Sequence, residues 1–534
     1  MVAAALAVGL VAWAVTLVGG SPQAGVIAMW CFVGAAFCAG WLLPLPQALV
    51  APLYMGIVGW LVDMLPLVVI AGWAGVAVRW AWGLLRERRL PRGGRWIWLP
   101  IGLVFWTSLG VLVIGSADFK HFLLLLGIQT LAGAVILACV DRLAAYEDRL
   151  KVVSGLVAFV VVLSVGVFFE WVGVPVEDLQ DSITKVRVEA AYSLDAFPNS
   201  TGMIKYARAR EAGANDLRND LEEVADANPG LPPYEAFAPK FKAFENHLVV
   251  RFAGSARAWA RELRAIDVEL RYDNLGLRPA NTVPRMRSFP RNALTYAGVC
   301  AAVFPLAVFL WWSRDRRRRM LGAAGAAACL FGAGFSLARG AWLAIFLGVA
   351  YIVIDGVVSK RKKVEVAAIF LAGALFLTGV YIVRYASDPL TARAGGTGSV
   401  GTRSQLYTDT IDSVSGIHFV IGFGTEKPRR DVAEGGGRQT FGRYVPVAGS
   451  HSTYLNYLFR TGVPGALMIM ALYLVAGLHA RAGARSFSGE ESLLYSALAM
   501  SVIILGAHAV ILSLFVEPTY SLTISLIVGL AVAG

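Results

Sequence analysis

The sequence predicts an all-α polytopic membrane protein, and three observations carry that prediction. First, 57% of the 534 residues are hydrophobic and only 16% are charged, whereas soluble domains are about 45–50% apolar and about 25% charged. Second, the apolar residues fall in runs of about twenty, the length at which a helix crosses about 30 Å of hydrocarbon. Third, lipid offers no hydrogen bonds, so each spanning run must satisfy its own backbone as a helix. We expect about 12–14 such helices.

Cysteine placement and net charge exclude two other classes of protein. The five cysteines all lie in apolar runs without metal-ligand spacing, which argues against disulfide or zinc chemistry. The formal net charge of +12 comes from short basic loops, and a topology signal explains these loops without a nucleic-acid partner. No cofactor is predicted.

The basic loops predict the sidedness of the chain. Every strongly basic loop falls on one side when the predicted helices alternate, and the positive-inside rule makes that side cytoplasmic. These loops lie at 86–95, 141–151, 314–319, 360–363 and 481–485. The expected spans lie near 3–19, 25–43, 96–114, 121–140, 152–172, 293–312, 320–337, 340–357, 364–384, 453–477, 493–515 and 520–534. Residues 48–85 fit either one long helix or two short ones.

Two polar segments on the opposite side divide the chain into predicted domains. Residues 1–172 form an N-terminal transmembrane bundle, and residues 291–534 form a C-terminal transmembrane domain. Between them, residues 173–290 have apolar residues at helical spacing and predict a helical periplasmic insertion. Residues 385–452 are rich in Gly, Thr and Ser, and a long irregular loop of this kind is more often functional than a connector.

Three residues on the predicted outer side are candidates for chemistry. Arg339 lies between two apolar runs, close to the depth at which charge is costly. Arg403 lies in a glycine-rich stretch and offers a planar fork that matches phosphate oxygens. His451 immediately precedes an apolar run and could act as a general base near neutral pH. Position alone also allows a snorkelling arginine, a solvated loop arginine and a helix-capping histidine.

Considered together, these residues suit a substrate that carries a diphosphate and a lipid tail. The two arginines would neutralise the departing diphosphate, whose negative charge grows in the transition state. The histidine would take the proton from an attacking hydroxyl. No acidic cluster with metal-ligand spacing lies beside them in the sequence, so the arginines would replace a metal ion.

Four stretches of this sequence, in order between residues 285 and 475, resemble the O-antigen ligase and polymerase superfamily of bacterial envelope glycosyltransferases. Their shared features are a Ser-x-x-Arg-Gly-x-Trp signature, a Ser-Arg element with a following glycine turn, a histidine motif with a Thr-Gly-x-x-Gly ending, and a weaker Arg and Pro-Asn element. The corresponding residues are Ser336–Trp342, Gly398–Ser404 with Ile421–Thr425, Ser450–Leu455 with Thr461–Ala466, and Arg287–Ala293.

The resemblance implies a site and an activity. Family members transfer a glycan from undecaprenyl diphosphate to an acceptor hydroxyl without a metal, on a fold similar to C-type glycosyltransferases. By this likeness His451 is the catalytic base, and Arg339 and Arg403 bind the diphosphate. Supporting positions are Ser336, Arg287, Asn292, Ser404 and Tyr454. The sequence departs from the family pattern where Ser452 replaces the usual Asn after the histidine and where the 173–290 insertion is longer.

Three functions remain open at this stage. The first is an O-antigen ligase of the bacterial inner membrane, with a periplasmic active site and lipid A-core as acceptor. The second is a repeat-unit polymerase for O-antigen or exopolysaccharide, which would use a second lipid-linked glycan as acceptor. The third is a polysaccharide lipid transporter. A transporter would favour polar residues near the middle of several spans, whereas the predicted spans are mostly Ala, Leu, Val and Gly.

Overall fold

The computed structural model describes residues 22–61, 65–92, 94–114, 119–171, 293–336, 338–354, 358–385, 407–408, 410–412, 414–423, 452–511 and 518–533. Within these ranges the chain is helical, with no strand. The helices are α1 (Pro22–Leu42), α2 (Leu45–Leu61), α3 (Leu65–Glu87), α4 (Trp98–Ile114), α5 (Phe119–Arg142), α6 (Tyr146–Trp171), α7 (Ala293–Trp311), α8 (Arg316–Phe335), α9 (Arg339–Ile354), α10 (Lys360–Tyr385), α11 (His418–Ile421), α12 (Thr453–Ser486), α13 (Gly489–Ile511) and α14 (Pro518–Val532). A short 3₁₀ turn, Arg95–Ile97, precedes α4.

The predicted all-α polytopic class is confirmed. Four helices in the described part of the chain are long and apolar enough to cross a membrane, namely Leu67–Glu87, Tyr146–Phe168, Thr453–Ser486 and Gly489–Val510, and shorter apolar helices accompany them. The ambiguous stretch 48–85 lies in two helices, α2 and α3. The predicted span at 3–19 and the insertion 173–290 lie outside the described residues, so the span count and the domain division stay predictions.

Two helices form the centre of the bundle. In α7 every residue from Thr295 to Leu310 is buried, and in α14 every residue from Tyr520 to Val532 is buried. An apolar helix could also face lipid, but complete burial of these residues means that protein surrounds both helices on all sides. Helices α6, α8, α9, α13 and α14 pack around α7 and supply that surface, so the C-terminal helices surround α7 together with α6 from the N-terminal half.

Ion pairs hold the basic loops together at one end of the bundle. Arg89, just after α3, pairs with Asp141 at the end of α5 at 2.6 Å, and Arg142 pairs with Glu87 at 2.7 Å. The hydrogen bonds that Arg89 donates to Asp141 and to Glu87 raise the pKa of Arg89 above its usual value. Three contacts join the remaining loops: Arg318 with Glu147 at 2.9 Å, the Arg314 N–H with Glu490 at 3.1 Å, and Trp312 with Glu365 at 3.0 Å.

Arg149 of α6 is a deeply buried charge at this basic end, with 2% of its surface exposed. Its guanidinium pairs with Glu491 of α13 and donates to the Tyr495 hydroxyl. It also donates to the carbonyl oxygen of Ala533 at 2.7 Å, just after α14. One side chain therefore ties the N-terminal half of the chain to its last two helices.

Replacing Arg149 with alanine is expected to destabilise the protein by about 3–5 kcal/mol, because Glu491 would lose the cation that compensates its partial burial. Denaturant unfolding in detergent micelles measures the loss. The matched control is Arg361→Ala, whose i,i+4 pair with Glu365 is exposed and should contribute little. Equal stability of the two variants would contradict the structural role of Arg149.

Candidate active site

The end of the bundle opposite the basic loops collects three of the motifs that carry the family resemblance. At this end α8 stops at Phe335 and α9 begins at Arg339. Ser336 occupies the C-cap of α8 and is fully buried. Its hydroxyl donates to the Ala333 carbonyl at 2.8 Å and its N–H donates to Gly332 at 3.1 Å. Ser336 thus uses its polar groups to close the helix, which makes it a structural residue of the turn that leads to Arg339.

Helix register places the start of α9 beside the end of α13. The two helices run in opposite directions, and Gly348 of α9 lies against Ile504 and Met500 of α13. Arg339 precedes Gly348 by nine residues, which corresponds to about 13 Å of helix. The Arg339 backbone therefore lies at the level of Ile511, the last residue of α13.

The start of α12 is bound to the same end of α13. Ser452 is the N-cap of α12, since its hydroxyl accepts the Leu455 N–H at 3.4 Å, and the hydroxyl also lies 3.4 Å from the Ala509 carbonyl. The Tyr454 hydroxyl donates to the Gly506 carbonyl at 3.0 Å. Serine at the position where the family often has asparagine therefore caps α12. Both contacts position the chain directly after His451.

Helix α12 consists of two segments that reverse direction at Gly462, where φ is +68°. Tyr454 and Tyr473 are nineteen residues apart in sequence, which in a straight helix would separate them by about 28 Å. Their ring centroids are 6.3 Å apart in a T-shaped arrangement. Residues 453–461 therefore turn back along residues 463–486, which brings the segment after His451 against the transmembrane part of α12.

A second glycine from another motif packs into this reversal. Gly422, with φ of +72°, follows α11, and a Cβ there would overlap the backbone of Arg460 and Thr461. A Cβ at Gly462 would overlap the carbonyl of Val420. The Phe423 N–H donates to the Phe459 carbonyl at 2.8 Å across the contact. We call this contact the glycine clasp; it joins two motifs that are forty residues apart in sequence.

Several predicted site residues lie outside the described parts of the chain. The structure brings the Arg339 backbone, Ser336 and Tyr454 to one end of the bundle. Nothing tests the position of the remaining predicted residues, which are His451, Arg403, Ser404, Arg287 and Asn292. Within the described ranges, no group of three or more His, Cys, Asp or Glu residues lies together as metal ligands would.

Arg460 is a further candidate, which lies outside the motifs that carry the family resemblance. It is partly buried just before the reversal of α12, and it interacts electrostatically with the Tyr457 hydroxyl. Tyr457 is buried and lies 3.2 Å from the side-chain amide nitrogen of Gln129 in α5. Trp106 of α4 donates to the Thr461 carbonyl at 3.0 Å. The signal in the sequence was an arginine inside an apolar run, which is uncommon without a function.

Pairs of hydrogen-bonded polar side chains also lie between the central helices, where the sequence predicts mostly apolar residues. His508 Nδ1 lies 2.9 Å from the Tyr520 hydroxyl, and the Ser164 and Tyr296 hydroxyls are 2.8 Å apart. Each pair bridges two helices, α13 with α14 and α6 with α7. Mutual hydrogen bonding of this kind lowers the cost of burying the groups and accounts for them as internal packing contacts.

Comparison with known proteins supports the predicted family. Residues 324–470 match the family model described as O-antigen ligase. The match contains the turn before Arg339, the glycine clasp and the first segment of α12. No curated protein matches the chain. The resemblance to the O-antigen ligase superfamily is thus confirmed over this stretch, which supports a membrane enzyme of the O-antigen ligase and polymerase type acting on lipid-linked glycans.

Substitution of either clasp glycine by alanine is expected to displace α11. The added methyl overlaps backbone atoms, and a positive φ costs an L-residue about 1–2 kcal/mol. Hydrogen–deuterium exchange of residues 414–423 measures the displacement, and Gly462→Ala should accelerate it strongly.

The control for the clasp is Gly416→Ala. Gly416 also has a positive φ, of +57°, but a Cβ there would meet nothing within 4 Å. The control therefore adds the conformational cost without the overlap. If Gly416→Ala and Gly462→Ala accelerate exchange to the same degree, close packing is not what holds α11.

Proposed function

We propose that the protein is a metal-independent glycosyltransferase that moves a glycan from undecaprenyl diphosphate to the hydroxyl of a lipid A-core acceptor. The reaction takes place at the periplasmic face of the bacterial inner membrane. The observation that carries the proposal is the convergence of the Arg339 turn, the glycine clasp and the segment after His451 at the end of the bundle opposite the basic loops.

The proposed roles follow from the chemistry of each side chain. His451, as a neutral imidazole, takes the proton from the acceptor hydroxyl as that oxygen attacks the anomeric carbon. Arg339 and Arg403 bind the diphosphate and stabilise the charge that it gains as the glycosidic bond breaks. The location at the membrane surface suits a donor whose lipid stays in the bilayer while its glycan extends into water.

A repeat-unit polymerase is the second candidate, because it uses the same chemistry with a lipid-linked glycan as acceptor. A transporter is the third. The polar pairs between the central helices are mutually bonded within the packed interior, whereas a transport pathway would present its polar groups to a water-filled cavity. This contrast favours the enzyme over the transporter.

The variants His451→Ala, Arg339→Ala and Arg403→Ala are each expected to lower transfer at least 100-fold, since general bases and single transition-state donors contribute about 10²–10⁴-fold and 10²–10³-fold. Complementation of deletion cells with surface lipopolysaccharide as the readout measures this loss. His479→Ala, at the basic end of α12 beside Trp96, is the matched histidine control and should complement fully at equal protein abundance. Full activity of His451→Ala would remove the general-base role.

The same deletion cells separate the branches of the family. A ligase deletion accumulates long lipid-linked glycans together with unmodified lipid A-core. Accumulation of single repeat units, or of core carrying only one unit, would identify a polymerase. If neither pool changes, the proposed transfer reaction is wrong.

A further inference from the structure

We infer that Arg460, together with Gln129 and Tyr457, binds the phosphate group of the lipid-linked substrate at the reversal of α12. This inference rests on the proposed function, because it assigns an additional contact to the same donor. It adds Arg460 and Tyr457 on α12 and Gln129 on α5 to the two arginines proposed above.

The first observation is that Arg460 has a charge without an acidic partner. Among the described residues it has neither a hydrogen bond nor an ion pair, whereas the buried Arg149 at the basic end has both. An arginine next to an apolar span is costly unless a counter-charge or water meets it. An anionic ligand would supply that counter-charge with the bidentate geometry that a guanidinium prefers.

The second observation is an unsatisfied amide next to Tyr457, which precedes Arg460 by three residues on the same helix face. The side-chain nitrogen of Gln129 lies 3.2 Å from the Tyr457 hydroxyl oxygen. The side-chain carbonyl oxygen of Gln129 is buried and has no hydrogen-bond partner in the described structure. The two orientations of a glutamine amide exchange these atoms. In the second orientation Tyr457 donates to the oxygen, and the NH₂ group is left to donate to a phosphate oxygen.

The third observation is the depth of the reversal. Gly462 and Arg481 are nineteen residues apart, about 28 Å of helix, which approximates the hydrocarbon thickness. With Arg481 at the basic end, Gly462 and Arg460 lie at the opposite boundary of the hydrocarbon. The phosphate groups of membrane lipids lie at this boundary. The Arg460 backbone and the phosphate of a lipid-linked substrate are therefore at the same depth.

Helix periodicity connects Arg460 to the predicted catalytic position. Thr453, Asn456 and Tyr457 precede it by seven, four and three residues, so the four side chains share one face of the first α12 segment. The first three are buried. This polar face begins two residues after His451. The same helix face therefore leads from Arg460 to the residues that directly follow His451.

Binding of geranylgeranyl diphosphate, a soluble polyprenyl diphosphate, to the full-length protein in phosphatidylcholine nanodiscs tests the inference. Arg460→Gln should raise the dissociation constant about 10- to 100-fold, since hydrogen bonds to charged groups contribute about 1.5–3 kcal/mol. Arg460→Lys should give an intermediate value because it keeps the charge but loses the fork. The control, Arg481→Gln on the same helix, should bind as the wild type does.

Gln129→Leu, on a different helix, provides an independent test if the Arg460 variants are unstable, and it should also weaken binding. Wild-type affinity in both Arg460→Gln and Gln129→Leu would overturn the inference while leaving the proposed transferase intact. If the wild type itself does not bind the diphosphate, the proposed donor fails as well.

Two further arms identify the source of the phosphate. Inorganic diphosphate should compete only weakly, because it lacks the lipid that holds the group at this depth. In nanodiscs that contain phosphatidylglycerol, the affinity difference between the wild type and Arg460→Gln should persist. If it disappears there, Arg460 binds bulk phospholipid head groups and the inference is wrong.

Discussion

The cost of placing charge in hydrocarbon is the constraint on which the arrangement of this protein depends. Each basic loop must remain in water, and the ion pairs of Arg89, Arg149 and Arg318 gather these loops at one end of the bundle. The other ends of the helices that these loops connect therefore lie at the opposite surface. Successive helices alternate in direction across the bundle. The turn before Arg339, the clasp and the start of α12 therefore all lie at this opposite surface.

Close backbone packing determines the shape of the candidate site. Gly422 packs against the backbone of Arg460 and Thr461, and Gly462 packs against the backbone of Val420, with no room for a side chain at either glycine. This contact holds α11 against the reversal of α12. The reversal does two things for the proposed chemistry. It places the segment after His451 beside the end of α13, and it leaves the partly buried Arg460 at the boundary where a lipid phosphate would lie.

Much of the fold could be predicted from the sequence, because hydrophobic run length and basic loops follow directly from the bilayer. The helices near 25–43, 96–114 and 293–312 begin and end within a few residues of their predicted bounds. The reversal at Gly462 was not predicted, because the overall apolar content of residues 453–477 favours a single span. Pro464, which fits the first turn of a new helix, was a local signal of the break. Arg460 was missed because it lies outside the four stretches that carry the family resemblance, and because its neighbour Tyr457 contacts Gln129, which is distant in sequence. The position of His451 relative to Arg339 stays a prediction.

Transfer by the purified protein is the most direct test of this account. Nanodiscs that contain the protein would receive an undecaprenyl-diphosphate-linked glycan and lipid A-core, with a chelator present throughout. The account predicts that glycan appears on the core, that undecaprenyl diphosphate is released in equal amount, and that the chelator changes neither. A donor that stays intact with the protein folded, or transfer that stops on chelation, would contradict it.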